Sequence, residues 1–288
     1  MNPALSIILF TTIAGAAQGV VVVLALATLA GVAPAAALAP MLWAVTGMLL
    51  VALVASFFHL GHPLRAWRAV LMWRTSWMSR EVILLPAFIA LVGGWALLAT
   101  LEQQEAMAAH WLAGLAIAGA FLLWYCTAMI YACIRFVQEW AHPLTIVNYT
   151  MLGLASGVVT AGALAVLAGE PRFAAAIAAW ALAATVLAWF TRTLSLRRNA
   201  RLKPKSTTQT ATGINAARVV QKSMGMTGGS FNTREFFHGA SARAMRMARV
   251  GFQVLAFGLP ILLLAWALLS GSALAWLLAL ASQAAGLL

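Results

Sequence analysis

The sequence predicts an all-α integral membrane protein, a single bundle of about eight transmembrane helices. The chain is 64% hydrophobic and only 8% charged, with a mean hydropathy of +0.94, values that are not those of a soluble globular domain. Six long stretches also contain no Asp, Glu, Lys or Arg. They are residues 1–64, 82–101, 106–134, 140–169, 173–191 and 250–288. A bilayer core of about 30 Å needs roughly 20 helical residues, so four of these stretches each match one crossing.

The first stretch is too long for one crossing and contains a natural break. The segment from Gly31 through Pro34 to Pro40 is rich in helix-breaking residues and predicts helices near residues 4–30 and 40–59. Residues 1–10 carry no basic segment, so we expect the first helix to be kept and not cleaved as a signal peptide.

The middle stretches predict helices 3 to 6, and the last stretch predicts helices 7 and 8. Residues 250–288 are long enough for two short crossings, with a turn at Ser270-Gly271-Ser272. Helices are favoured over a β-barrel because the apolar residues run continuously and do not alternate. We therefore expect residues 1–288 to form one transmembrane domain embedded in a lipid bilayer.

The basic residues lie mostly in two loops and orient the bundle. One group lies between helices 2 and 3, and twelve further Lys and Arg residues lie from Arg192 to Arg249. The first group comprises Arg65, Arg68, Arg74 and Arg80. Because Lys and Arg near helix ends resist translocation, both loops and both termini are expected to be cytoplasmic in a bacterial inner membrane. This distribution explains the net charge of +12 without nucleic acid, which is not an expected partner.

The long basic loop between helices 6 and 7, residues 195–249, has two interpretations. It orients the bundle and attracts anionic lipid, or it docks a soluble partner, because it is longer than orientation requires. Within it, residues 199–212 are typical of a mobile linker. Residues 223–238 combine glycine turns with aromatic side chains, which is typical of an ordered segment.

The sequence carries no redox centre that its residue spacing reveals. Cys126 and Cys133 are seven residues apart on one predicted helix, too far for a disulfide, and are expected to be buried packing residues. Two thiolates cannot ligate an iron–sulfur cluster alone, and no zinc spacing is present, so we expect no metal site. The histidines fall at span ends or in loops. A haem is therefore not expected, although His59 with His142 keeps a bis-histidine site open.

Residues 56–81, between helices 2 and 3, carry a family resemblance. The segment reads SFFHLGHPLRAWRAVLMWRTSWMSRE and contains a His-Leu-Gly-x-Pro-x-Arg-Ala pattern followed by Ser-x-x-Ser-x-Glu. It resembles the corresponding segment of the dimethyl sulfoxide reductase anchor subunit family. The matching positions are His59, Gly61, Pro63, Arg65, Ala66, Ser76, Ser79 and Glu81.

This resemblance implies a function. Members of that family are eight-helix membrane subunits of molybdopterin oxidoreductase complexes, which exchange electrons with a quinone pool and anchor a catalytic and an iron–sulfur subunit. Residues 129–157 and 223–238 further resemble the membrane subunit of cytoplasmic sulfite-oxidising complexes. That likeness implies sulfite oxidation on a partner subunit, with electrons delivered to ubiquinone or menaquinone. Molybdopterin and iron–sulfur clusters are expected on the partners only.

The resemblance also points to residues of a quinone site. Quinone conversion moves electrons and protons together, so it needs hydrogen-bonding groups that exchange protons at a wet membrane boundary. His59 lies at the end of helix 2, and Ser79 is a plausible N-cap that places Glu81 in the first turn of helix 3. The resemblance implies quinone-site roles for His59 and Glu81. Without the resemblance, His59 is also explained as a histidine at the membrane interface and Glu81 as an acidic residue at a helix start.

Three other residues are weaker candidates. Arg65 is expected to orient a quinone carbonyl or to pair with Glu81, or else to serve only in topology. Gln18 on helix 1 and Tyr131 on helix 4 are candidate hydrogen-bond donors to quinone, or polar groups satisfied between helices.

Two alternatives remain open at this point. The chain fits a dimethyl sulfoxide reductase-type anchor that passes electrons from quinol to substrate. It also fits a quinone-independent transporter or tether, although the near absence of charge inside the spans disfavours an ion-coupled carrier.

Overall fold

The computed structural model describes residues 5–58, 60–102, 106–203, 207–219 and 241–287. All regular structure in these ranges is helical, which confirms the predicted all-α class. The long helices of the first six spans are α1 Leu5–Leu29, α2 Ala35–Phe57, α3 Trp77–Thr100, α4 Met107–Ala132, α5 Pro143–Leu167 and α6 Pro171–Asn199. The remaining helices are α7 Thr208–Thr212, α8 Ala242–Gln253, α9 Leu259–Ser270 and α10 Ala273–Leu287, with a 3₁₀ helix at Pro63–Met72 and a π-helical turn at Val254–Gly258.

The break between α1 and α2 is shorter than predicted. α1 ends at Leu29 and the chain turns through Gly31, whose φ of +69° suits glycine. α2 then begins at Ala35, so the predicted start at residue 40 is wrong and Pro40 lies inside the helix. A transmembrane helix tolerates such a proline because neighbouring helices or local adjustments can satisfy the one backbone carbonyl whose hydrogen bond the proline removes.

The start of α3 also differs from the prediction. Ser76 is the N-cap, and its side-chain oxygen accepts a hydrogen bond from the backbone N–H of Ser79 at 3.3 Å. The predicted N-cap role of Ser79 is therefore wrong. Glu81 consequently lies in the second turn of α3, four residues after Trp77.

The C-terminal segment forms a helical hairpin at the predicted position. α8, the π-helical turn and α9 make one continuous helix, Ala242–Ser270, and Gly271 with a φ of +67° turns the chain into α10. The final helix has 15 residues and is about 22 Å long. Seven helices in the described ranges are long and apolar enough to cross a membrane, so the chain is a multi-pass membrane protein. The eighth crossing stays a prediction.

The predicted basic loop is bounded by longer helices than expected. α6 continues to Asn199, and α8 already begins at Ala242, so both ends of the predicted loop 195–249 are helical. The predicted linker 199–212 contains the short helix α7. The predicted ordered segment 223–238 lies outside the described residues.

The centre of the bundle is the close crossing of α1 and α5. Each helix carries two glycines four residues apart, Gly15 and Gly19 on α1 and Gly153 and Gly157 on α5. A Cβ atom at Gly19 would lie 2.8 Å from the Gly157 Cα atom, so the two backbones touch. α4 packs beside this pair, α2 and α3 lie on one side of it, and α6, α9 and α10 on the other.

The chain direction places both basic loops at one end of the bundle, here called the basic-loop end. Successive long helices run in opposite directions, so this end contains the start of α1, α3 and α5 and the end of α2, α4 and α6. It also contains the 3₁₀ helix with Arg65 and Arg68 and the arginine-bearing start of α8.

Candidate functional site

A cavity of about 490 Å³ lies in the half of the bundle nearest the basic-loop end. α1, α3 and α5 line it with residues near their N-terminal ends, and α4 and α6 with residues near their C-terminal ends. Phe252 of α8 and Leu287 of α10 complete the wall. The size lies within the range of cavities that enclose small organic ligands.

One wall of the cavity holds a buried carboxyl group. Glu81 of α3 is only 8% exposed and accepts a hydrogen bond from the Thr127 hydroxyl of α4. Gln18 of α1, 2% exposed, also lines the cavity and donates from Nε2 to the Ala14 carbonyl at 3.0 Å. The cavity therefore has a polar wall within an otherwise apolar bundle.

Aromatic side chains form a second part of the lining. The rings of Tyr131 and Tyr149 stack with centroids 5.7 Å apart, and Trp140 packs edge-on against Tyr131 at 5.3 Å. Tyr131 and Trp140 belong to the end of α4 and the α4–α5 loop, whereas Tyr149 belongs to α5. This aromatic group joins α4 and α5 toward the basic-loop end, where exposed Glu139 also lines the cavity.

Four buried polar atoms around the cavity have no hydrogen-bond partner among the described residues. Two are acceptors, Gln18 Oε1 and Asn148 Oδ1, and two are donors, Trp124 Nε1 and Arg192 Nε. Buried polar atoms are nearly always paired, because an unpaired one costs about 1–3 kcal/mol. These four atoms are buried within the side-chain packing of residues that line the cavity, and the Trp124 indole packs against Gly153 of α5.

The structure brings together three of the six predicted site residues. Gln18, Glu81 and Tyr131 come from three different helices and all line the cavity. Ser79 is buried but does not line it, and Arg65 is exposed on the 3₁₀ helix, also away from the lining.

Two further predictions concern the pairing of Arg65 with Glu81 and the role of His59. The carboxyl group of Glu81 is hydrogen-bonded to Thr127, so the alternative pairing of Arg65 with Glu81 is not observed. His59 lies outside the described residues, and its role stays a prediction.

Several lining residues were not predicted as site residues. They include Trp124, Thr127, Asn148, Tyr149 and Arg192. Arg192 is the first charged residue after the charge-free stretch 173–191, so the sequence grouped it with the basic loop. In the structure α6 continues to Asn199, which places Arg192 within the helix.

His142 lies at a helix end, as predicted, whereas the prediction for one cysteine is wrong. His142 is the N-cap of α5, and its Nδ1 atom accepts a hydrogen bond from the backbone N–H of Leu144 at 3.2 Å. Burial and the nearby Arg198 lower the pKa of His142, which favours the neutral ring that this cap requires. Cys126 is buried as predicted, but Cys133 is exposed at the end of α4. In the ranges that the structure describes, no group of three or more His, Cys, Asp or Glu side chains is arranged to hold a metal ion.

Comparisons with known proteins match the whole chain. The family model described as DMSO reductase anchor subunit (DmsC) matches residues 1–283. A sulfite dehydrogenase subunit of Allochromatium vinosum is 44% identical over 304 aligned positions, which cover 100% of this chain and 93% of that protein. No solved structure matches the chain significantly.

Proposed function

The chain belongs to the DMSO reductase anchor subunit family, and from this premise we propose that it is the quinone-reactive membrane subunit of a molybdoenzyme complex. It is a membrane anchor subunit of an oxidoreductase complex, in a family associated with molybdopterin enzymes. In the proposal, electrons pass between a docked iron–sulfur subunit and the quinone pool through the cavity at the basic-loop end. The buried Glu81 carboxyl group in the wall of that cavity is the observation that carries the proposal.

The hydrogen-bonding groups of the cavity suit both redox forms of a quinone. An oxidised quinone offers two carbonyl oxygens that only accept, which matches the donor groups of Arg192 and Tyr131 in the lining. A quinol offers two hydroxyl groups that also donate, which matches the acceptor oxygens of the Glu81 carboxyl group in the lining. A site that must bind substrate and product in turn needs both sets.

Glu81 is the group best placed to exchange a proton with the quinone oxygen. It lines the cavity with its carboxyl group held by Thr127, so one carboxyl oxygen has a fixed position. Exposed Glu139 and Trp140 line the cavity toward the α4–α5 loop, which offers a route for protons to the water at the basic-loop end.

The position of the cavity suits a partner docked on the basic loops. Electrons must travel between an iron–sulfur cluster outside the membrane and a quinone inside it, so a cavity near the docking end keeps that distance short. By the charge rule for membrane proteins, the basic-loop end is cytoplasmic. In the proposal the membrane is the bacterial inner membrane. The catalytic and iron–sulfur subunits then dock on the cytoplasmic side.

The proposed direction is from sulfite to quinone. Support comes from the full-length similarity to a subunit of a sulfite dehydrogenase. The family model carries the name of a reductase anchor, which favours the second candidate, electron flow from quinol to a substrate of the partner.

Isolation of the native complex tests the function. We expect the chain, extracted in mild detergent from its own membrane, to co-purify with a protein containing molybdenum and iron–sulfur clusters, and the preparation to reduce quinone with sulfite. Metal analysis detects the molybdenum and iron of the co-purified protein, and turnover assays measure the reduction of quinone by sulfite. A chain that purifies alone would support a transporter or tether. A complex inert to sulfite that oxidises quinol would support the reductase direction.

Removing the hydroxyl group of Thr127 should slow quinone turnover. In Thr127→Val the Glu81 carboxyl group loses the donor that positions it, so we expect about a tenfold fall in quinone-linked kcat, with activity toward an artificial electron acceptor unchanged. Thr185→Val is the matched control, because the buried Thr185 hydroxyl bonds only the Ala181 carbonyl within α6 and does not line the cavity. Equal quinone rates in both variants would contradict a positioning role for Thr127.

A further inference from the structure

Arg192 is a half-buried cation without a carboxylate partner in the described part of the chain. It lies in α6, seven residues before the helix ends at Asn199, and it lines the cavity. Its Nε atom is buried without a hydrogen-bond partner, and no carboxylate in the described residues pairs with it. A charge inside a membrane protein is costly unless a polar partner receives it, and such residues commonly belong to a site. The cavity that Arg192 lines offers room for such a partner.

Neighbouring side chains fix the position of Arg192. One turn earlier on α6, Trp189 Nε1 donates to Gln253 Oε1 of α8 at 2.6 Å. The guanidinium group lies over the ring of Phe252, with Cζ 5.6 Å from the ring centroid. Phe252 in turn meets Phe257 of the π-helical turn edge-on at 5.5 Å. The contact with Phe252 places the guanidinium group between α6 and α8.

Arg192 and Glu81 approach the cavity from opposite sides. α3, which carries Glu81, packs against α2 and α4, whereas α6, which carries Arg192, packs against α5 and α9. The central helices α1, α4 and α5 lie between them. A ligand in the cavity therefore has a carboxyl group at one side and a guanidinium group at the other.

We infer that Arg192 binds the second carbonyl oxygen of the quinone head group, the oxygen that Glu81 does not reach. This inference rests on the proposed function and adds to it a fixed head-group orientation, with one oxygen toward α3 and the other toward α6. Arginine keeps its proton, so Arg192 binds and polarises the oxygen and does not protonate it. The balance of the step is one quinone, two electrons from the partner's iron–sulfur cluster and two protons from water, giving one quinol.

Kinetics of the assembled complex provide the first test. In Arg192→Met we expect the KM for quinone to rise about tenfold to a hundredfold, the loss expected for a charged hydrogen bond, with artificial-acceptor activity and complex assembly unchanged. The KM of Arg192→Lys should lie between those of the wild type and Arg192→Met, because lysine keeps the charge and loses the planar donor group. Arg172→Met is the matched control, since Arg172 is exposed in the first turn of the same helix at the opposite end of the bundle.

Infrared spectroscopy provides a readout that a purely structural role would not change. With quinone labelled with heavy carbon at one carbonyl or the other, the wild-type complex should show two carbonyl bands of different frequency. Arg192→Met should move only one of them toward the frequency of free quinone. Unchanged bands and an unchanged KM in Arg192→Met would overturn the inference while leaving the quinone site intact. Absence of quinone binding to the wild-type complex would instead overturn the proposed function itself.

Discussion

Replacing Glu81 with glutamine will reduce quinone-linked turnover by more than about a hundredfold, the loss expected when a proton-exchanging group is removed. The change is nearly isosteric. Glutamine Oε1 can still accept the hydrogen bond from the Thr127 hydroxyl, so the packing of α3 against α4 is kept and only proton exchange is lost. The assembled complex should still oxidise its substrate with an artificial electron acceptor. Turnover with quinone and with the artificial acceptor, measured on the same preparation, checks both expectations.

Glu170→Gln is the matched control for this experiment. Glu170 precedes α6 at the end of the bundle opposite the cavity, and its side chain makes no capping hydrogen bond. The same chemical change there should leave both activities at the wild-type level. If Glu81→Gln retained its quinone-linked rate, Glu81 would have no part in proton exchange, and Gln18 and Tyr131 would be the remaining predicted candidates in the cavity.

Replacing Gly157 with alanine will prevent the normal packing of the bundle. The added Cβ atom would lie 2.6 Å from the backbone nitrogen of Val20 and would also meet the backbone of Gly19. Because backbone atoms of a packed helix cannot move aside individually, α1 must shift away from α5, at a cost of about 1–3 kcal/mol or more. The shift also displaces Gln18 and Asn148, which line the cavity from these two helices. Thermal stability of the detergent-extracted subunit should fall, and quinone turnover should be lost with it.

Gly114→Ala is the corresponding control. Gly114 lies inside α4, and no described residue outside its own helix turn has an atom within 4 Å of an added Cβ. Alanine should be neutral or slightly stabilising there, because it is the better helix former. Equal melting temperatures for Gly157→Ala and Gly114→Ala would contradict the close crossing of α1 and α5.

The length and hydropathy of the apolar stretches were sufficient to predict the class and most of the helices. The turn at Ser270-Gly271-Ser272 was predicted correctly, because glycine there adopts a conformation that other residues avoid. The N-cap of α3 was predicted wrongly, because two nearby serines suit that position equally well. Ser76 and Ser79 are both good N-caps, and only the geometry of the folded helix shows that Ser76 serves.

The motif in residues 56–81 identified the family correctly, yet it marked only part of the site. Glu81 lies in the cavity, whereas Arg65, six positions after His59 in the same motif, is exposed on the 3₁₀ helix. A motif links residues that are close along the chain. The cavity instead collects residues from α1, α3, α4, α5 and α6, which are far apart along it.

The sequence by itself determined that the chain is helical, membrane-spanning and basic at one end, because these properties follow from local composition and from the length of apolar runs. Only the tertiary structure decided which polar side chains share one cavity and which of them remain unpaired. Arg192 shows the reason. Its charge is obvious in the sequence, but its place in the cavity wall opposite Glu81 depends on how far α6 extends and on what packs beside it, and both are set by contacts between distant helices.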